Sequence, residues 1–150
     1  MKIELVSKDS FNIFINRGYF KNVKFNDKDN IIDIVKDFIL KIKNKLKMSG
    51  FYKVKVYVNE EVGMFLDIIK IEDIEFSNNI DLRIIVCLNE DIYFETDDYY
   101  ILPNDIKVRY FLGKYYVNVN EVDNIYDILE FGRFIYGNKL KDIINKSKVL

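Results

Sequence analysis

Between residues 31 and 58 the apolar residues change period, and that change limits the folds open to this chain more than any other feature. Ile31, Ile34, Val35, Phe38, Ile39, Ile42 and Leu46 recur at steps of three and four, whereas Val54, Val56 and Val58 alternate with Lys53, Lys55 and Tyr57. The first spacing lines one face of a helix and the second one face of a strand. Asp27, Asp29 and Asp33 stand at the start of the helical stretch and Lys41, Lys43, Lys45 and Lys47 at its end, as the helix dipole favours. Ser49 and Gly50 then end it. A helix with one apolar stripe and a strand with one apolar face each need a surface to cover, so the chain is expected to be α+β.

The flanking segments extend this pattern. "KIELVSKDSFNIFIN" places Ile3 and Leu5, then Phe11, Ile13 and Ile15, on one face of a hairpin, and "MFLDIIKI" follows the turn "NEEVG" as the return strand of a second. Periodicity drops over residues 72 to 81, "EDIEFSNNID", where "SNN" is turn chemistry. The reading therefore has two small units, each of antiparallel strands packed on one or two amphipathic helices. They are a ββαββ-like unit over 1–75 and a βαββα-like unit over 79–150, divided at Ser77 to Asn79.

In the second unit "DLRIIVCL" reads as a strand. "NEDIYFETDDYYILP" reads as a helix capped by Asn89, with a hairpin through "TDD" as the alternative. "IKVRYF" and "YYVNV" flank "LGK" as a hairpin around Gly113. Asp123 is the expected cap of a terminal helix carrying Ile125, Ile128, Leu129, Phe134 and Ile135, continuing past Gly137 and Asn138 into Leu140, Ile143 and Ile144. The expected core includes Ile34, Phe38, Ile42, Val54, Val56, Cys87, Val117, Ile128 and Leu129.

The chain has no histidine, so Ser-His and Cys-His nucleophiles and imidazole metal sites are excluded. The acidic run of Glu90, Asp91, Glu95, Asp97 and Asp98 lacks the spacing and central glycine of a calcium loop and reads as a solvated helix face. "KIKNKLK" reads as the basic end of a helix, and neither "RGYF" nor "FGRFIYG" contains a phosphate-binding glycine pattern. No cofactor or metal is expected. Tyr110, Tyr115 and Tyr116 could stack bases, but cross-strand aromatic pairs also fix hairpin packing, which is the expected role. The 23 basic and 24 acidic residues nearly cancel, so nucleic acid is not an expected partner. No stretch approaches the roughly 20 apolar residues of a membrane helix, and the lone Cys87 suits a reducing compartment. A cytoplasmic, unprocessed protein is expected, its oligomeric state left open.

Two stretches resemble the MecA family, bacterial adaptors that deliver regulatory proteins to the ClpC unfoldase. "MKIELVSKDSFNIFI", with the helix and "YKVKVYVNEEVGMFLDIIKI" after it, is similar to the family's opening order. "VRYFLGKYYVNV" resembles its "LY.Y.G.YYL" hairpin, and "ILEFGRFIYGNKLKDII" its late "EHGK.I...A...I" helix, with Glu130, Gly132, Arg133, Ile135, Leu140 and Ile144 in the pattern. The resemblance implies a non-enzymatic adaptor in which residues 1–75 capture a regulatory protein substrate and residues 79–150 bind a Clp-type AAA+ unfoldase. Placed on that late helix, Glu130, Arg133, Phe134 and Tyr136 are the expected partner-binding residues. The alternative is a small nucleic-acid-binding module using the aromatic hairpin and the lysine-rich helix end.

Overall fold

The computed structural model describes residues 2–20, 22–73 and 79–150. The chain is α+β and divides into two compact units, 1–89 and 90–150.

The first unit contains β1 (Lys2–Ser7), β2 (Ser10–Asn16), α1 (Lys28–Ile42), β3 (Gly50–Asn59), β4 (Gly63–Glu72) and β5 (Ile80–Cys87). Its sheet has the order β1-β2-β4-β3-β5, antiparallel except where β5 runs parallel to β3. The expected helix forms. Asp27 caps it by accepting hydrogen bonds from the backbone N–H of Asp29 at 3.0 Å and Asn30 at 3.3 Å. It ends at Ile42, before most of the lysines, and Lys47 turns into the left-handed region while Met48 N–H donates to the Lys43 carbonyl at 2.9 Å. Ile31, Val35, Phe38, Ile39 and Ile42 are buried in one core with Ile13, Ile15, Val54, Val56, Leu66 and Ile68. Register explains the alternation: Val54 lies opposite Ile68, Val56 opposite Leu66 and Val58 opposite Met64, so these stretches of the two strands share one apolar face, which ends where Tyr52 lies opposite Lys70.

The boundary expected at Ser77 to Asn79 falls largely on residues 74–78, which lie outside the described residues. The strand after it does not open a second unit, because β5 extends the first sheet by pairing Val54 with Ile84 and Val56 with Val86. Periodicity marked that strand but held no information on which sheet it would join.

The second unit contains β6 (Tyr93–Thr96), β7 (Arg109–Phe111), β8 (Lys114–Asn118), β9 (Gly132–Ile135), α2 (Gly137–Lys146) and β10 (Lys148–Val149), with the sheet order β10-β7-β8-β6-β9. The helix expected over residues 89–102 is instead β6 followed by a 3-10 turn at Tyr99–Ile101. Ile92, Tyr93, Thr96, Tyr99 and Tyr100 have helical spacing, but pairing on both sides, with Val117 and Phe134 opposite Phe94, decides for the strand. The long terminal helix is also absent. Its first part forms 3-10 turns at Ile125–Asp127 and Leu129–Phe131 and then β9, and only Gly137–Lys146 is helical. Of the nine expected core residues, Phe38, Ile42, Val54, Val56 and Val117 are buried, and Ile34, Cys87, Ile128 and Leu129 are partly covered. Among the described residues no helix is long and apolar enough to cross a membrane.

Candidate functional site

The β7–β8 hairpin closes through Leu112 and Gly113, at φ 48° and 79°. Two successive residues with positive φ match the twist of the strands and favour Asn-Gly. Among the described non-glycine residues with positive φ, Asn89, Asp105 and Asn124 are of types that tolerate that region, and Lys47 closes a helix. Leu112 has no such local reason, and it is 81% exposed.

Beside this tip runs a ladder of tyrosines. Tyr110 and Tyr115 are a cross-strand pair with ring centroids 5.3 Å apart. Tyr115 contacts Tyr99 at 5.2 Å, and Tyr99 contacts Tyr100 edge-on at 6.2 Å. The chain positions the last two rings by polar contacts. Buried Thr96 donates from Oγ1 to the Phe131 carbonyl at 2.8 Å and accepts from Asp98 N–H at 3.1 Å. Asp98 in turn caps the turn by accepting from Tyr100 N–H at 3.0 Å. Leu102, buried, anchors the far side of the turn, and Tyr100 stands out at 94% exposure. Lys114 and Asp97 lie 3.8 Å apart nearby, so charges of both signs border the rings.

The opposite face of the same sheet holds a closed polar cluster. Tyr116 OH donates to Glu95 Oε2 at 2.6 Å and Arg133 Nε donates to Oε1 at 2.7 Å. Register sets both contacts, since Glu95 lies opposite Tyr116 on β8 and opposite Arg133 on β9. Burial pulls the Glu95 carboxyl upward, but the hydrogen bonds from Tyr116 and Arg133, with the charges of Arg133 and Lys139, outweigh it and hold the group below its usual range. Burial, then the bond to Glu95, pushes the Tyr116 phenol up. Both groups move away from neutral pH, the reverse of the tuning that a general acid or base needs. The cluster is suited to fixing strand register rather than to proton transfer.

The acidic run expected as a solvated helix face therefore breaks at Glu95, which is buried and paired. Tyr116 faces away from Tyr110 and Tyr115 and cannot join them in stacking. Of the residues expected to bind a partner, Glu130 is exposed in a 3-10 turn, and Arg133 has 59% of its side chain exposed while bonded to Glu95. Phe134 lies edge-on to Phe94 at 6.3 Å, and Tyr136 is the cap residue before α2. Because Arg133 and Phe134 are neighbours on a strand, they point to opposite faces, and the helix expected to carry this group is absent there. Gly132 is required for close approach: a Cβ there would collide with the Glu95 carbonyl and the Phe94 ring.

Among the described residues no group of three or more histidine, cysteine, aspartate or glutamate side chains is placed to hold a metal ion. No protein-family model, curated protein or solved structure matches the chain.

Proposed function

We propose that this chain is a non-enzymatic, adaptor-like binding protein whose second unit engages a protein partner through the tyrosine ladder and the hairpin tip. The observation that carries the reading is Leu112. A left-handed leucine costs roughly 1–2 kcal/mol, and at 81% exposure it recovers little of that by burial within the chain. Burial against a partner would offset the cost. Beside it, Tyr99, Tyr100, Tyr110 and Tyr115 supply the rigid amphipathic rings that dominate protein interfaces, at low cost in side-chain entropy. Exposed Glu130 and Phe131 enter β9 beside Thr96, at the end of the sheet where Thr96 lies opposite Tyr115, and form a mixed rim.

A protein suits this surface better than a nucleic acid does. The rings meet at 53° to 79° rather than presenting parallel faces, and Asp97 and Asp98 would repel phosphates. The more specific reading, tethering a regulatory protein substrate to a Clp-type AAA+ unfoldase and so raising its effective concentration there, rests on the residue resemblance alone.

Binding of the intact, fluorescently labelled chain to a purified Clp-type unfoldase tests the proposal. Saturable binding that Tyr100→Ala weakens by about tenfold supports it, this being the ordinary cost of losing an aromatic anchor. No binding, where a genuine MecA protein binds, overturns the unfoldase reading. Steeply salt-dependent binding to a single-stranded oligonucleotide instead would establish the nucleic-acid alternative.

A further inference from the structure

We infer that two copies of this chain associate through β1, joining their first sheets edge to edge about a two-fold axis at Ile3. This interface lies in the first unit and is separate from the tyrosine ladder. β1 is an outer strand of its sheet, and all six of its residues are exposed, so its outward N–H and C=O groups have no cover from the described chain. Ile3 lies opposite Ile13 and Leu5 opposite Phe11, which places both on the face that buries Ile13 and Phe11 in the core. The apolar stripe of that face therefore runs beyond its own cover, and Leu5 is 66% exposed.

Charge selects the occupant and its register. Lys2 and Glu4 share the other face of β1. In an antiparallel pair with the axis at Ile3, Lys2 of each copy lies opposite Glu4 of the other, Ile3 meets Ile3, and Leu5 lies diagonal to Ile3. Moving the axis to Glu4 sets two carboxylates against each other. Moving it to Leu5 carries the ladder across the irregularity between Leu5 and Ser7. Antiparallel pairing about a two-fold axis also keeps the helix-bearing faces of both copies on the same side, so the apolar stripe becomes continuous. Of the three axes, only that at Ile3 satisfies charge, face and hydrogen bonding together.

Sedimentation equilibrium of the intact chain over a range of concentrations reads the association directly. The wild type is expected to dimerise, with Lys2→Glu and Glu4→Lys each weakening it by about tenfold or more through like charges. The double variant Lys2→Glu/Glu4→Lys is expected to restore it, and an equimolar mixture of the two single variants to form a heterodimer. Tyr100→Ala should leave it unchanged, which separates this interface from the ladder. A wild type monomeric at every concentration, single variants that still dimerise, or a double variant that fails to recover would each overturn the inference.

Discussion

In the first unit β3 and β4 run for 10 residues each, and their apolar faces lie under a helix of 15 residues. In the second, β6 and β9 have four residues and β7 has three. The first unit distributes its stability over many interchangeable apolar contacts. The second is held by particular atoms: the Glu95–Tyr116–Arg133 bonds, the Thr96–Phe131 bond and the missing side chain of Gly132. Short strands carry too little apolar area to fix their own register, and specific polar and steric contacts take that part. A unit built in this way presents its surface residues in fixed positions but gives way when one of a few groups is changed.

Gly132→Ala is the most severe test of this contrast. Its Cβ would meet the Glu95 carbonyl and the Phe94 ring, so β9 must leave β6, and a loss of about 4 kcal/mol or more is expected. Hydrogen exchange should then show amides of β6, β8 and β9 losing protection while β3 and β4 keep theirs. Equal loss in both units would contradict the contrast. In the first unit, Leu66→Ala truncates a fully buried side chain and should cost about 3 kcal/mol by denaturant titration, without shifting strand pairing.

Glu95→Ala comes next, at about 2 kcal/mol, because it leaves the buried Tyr116 hydroxyl unpaired while the largely exposed Arg133 is resolvated. The pH dependence has a definite sign. The folded carboxyl titrates below its unfolded value, so its stabilisation is complete above that unfolded value, about 4.3, and is lost as pH falls through the folded one. The stability difference between wild type and Glu95→Ala should therefore shrink on acidification. Tyr116 gives a second limb of opposite sense: its raised phenol favours the folded state below the ordinary tyrosine range, about 10, and that contribution declines as pH rises above it. A difference independent of pH would remove Glu95 from the account.

The same contrast explains what could be read in the sequence. α1 and strands β2 to β4 were legible because their apolar residues recur long enough for one period to prevail. The strand of β5 was legible and its sheet was not, since neighbours in a sheet are chosen by tertiary packing. In β6 and β9 a strand of four residues is too short for one period to prevail, and Tyr93, Thr96 and Tyr100 at steps of three and four favoured the longer helix. Glu95 was misread as solvated because its partners Tyr116 and Arg133 lie 21 and 38 residues away. Half of the ladder, Tyr110 and Tyr115, was visible as a hairpin pair. Tyr99 and Tyr100 were hidden by the helix assigned to them, and a left-handed Leu112 leaves no sequence signature beyond its place before a glycine.

Leu112→Asn makes the smallest change in stability and bears most directly on the central claim. Asparagine adopts the left-handed conformation at lower cost and suits an exposed turn, so the variant should be more stable than the wild type by about 1 kcal/mol. The deciding measurement is its affinity for the Clp-type unfoldase against that of the wild type, by titration under identical conditions. The account predicts that the better-folded variant binds about tenfold more weakly, as the loss of a buried apolar contact requires. Unchanged affinity in a variant of equal or greater stability would show that Leu112 is not part of a binding surface, and the proposed site would fall with it.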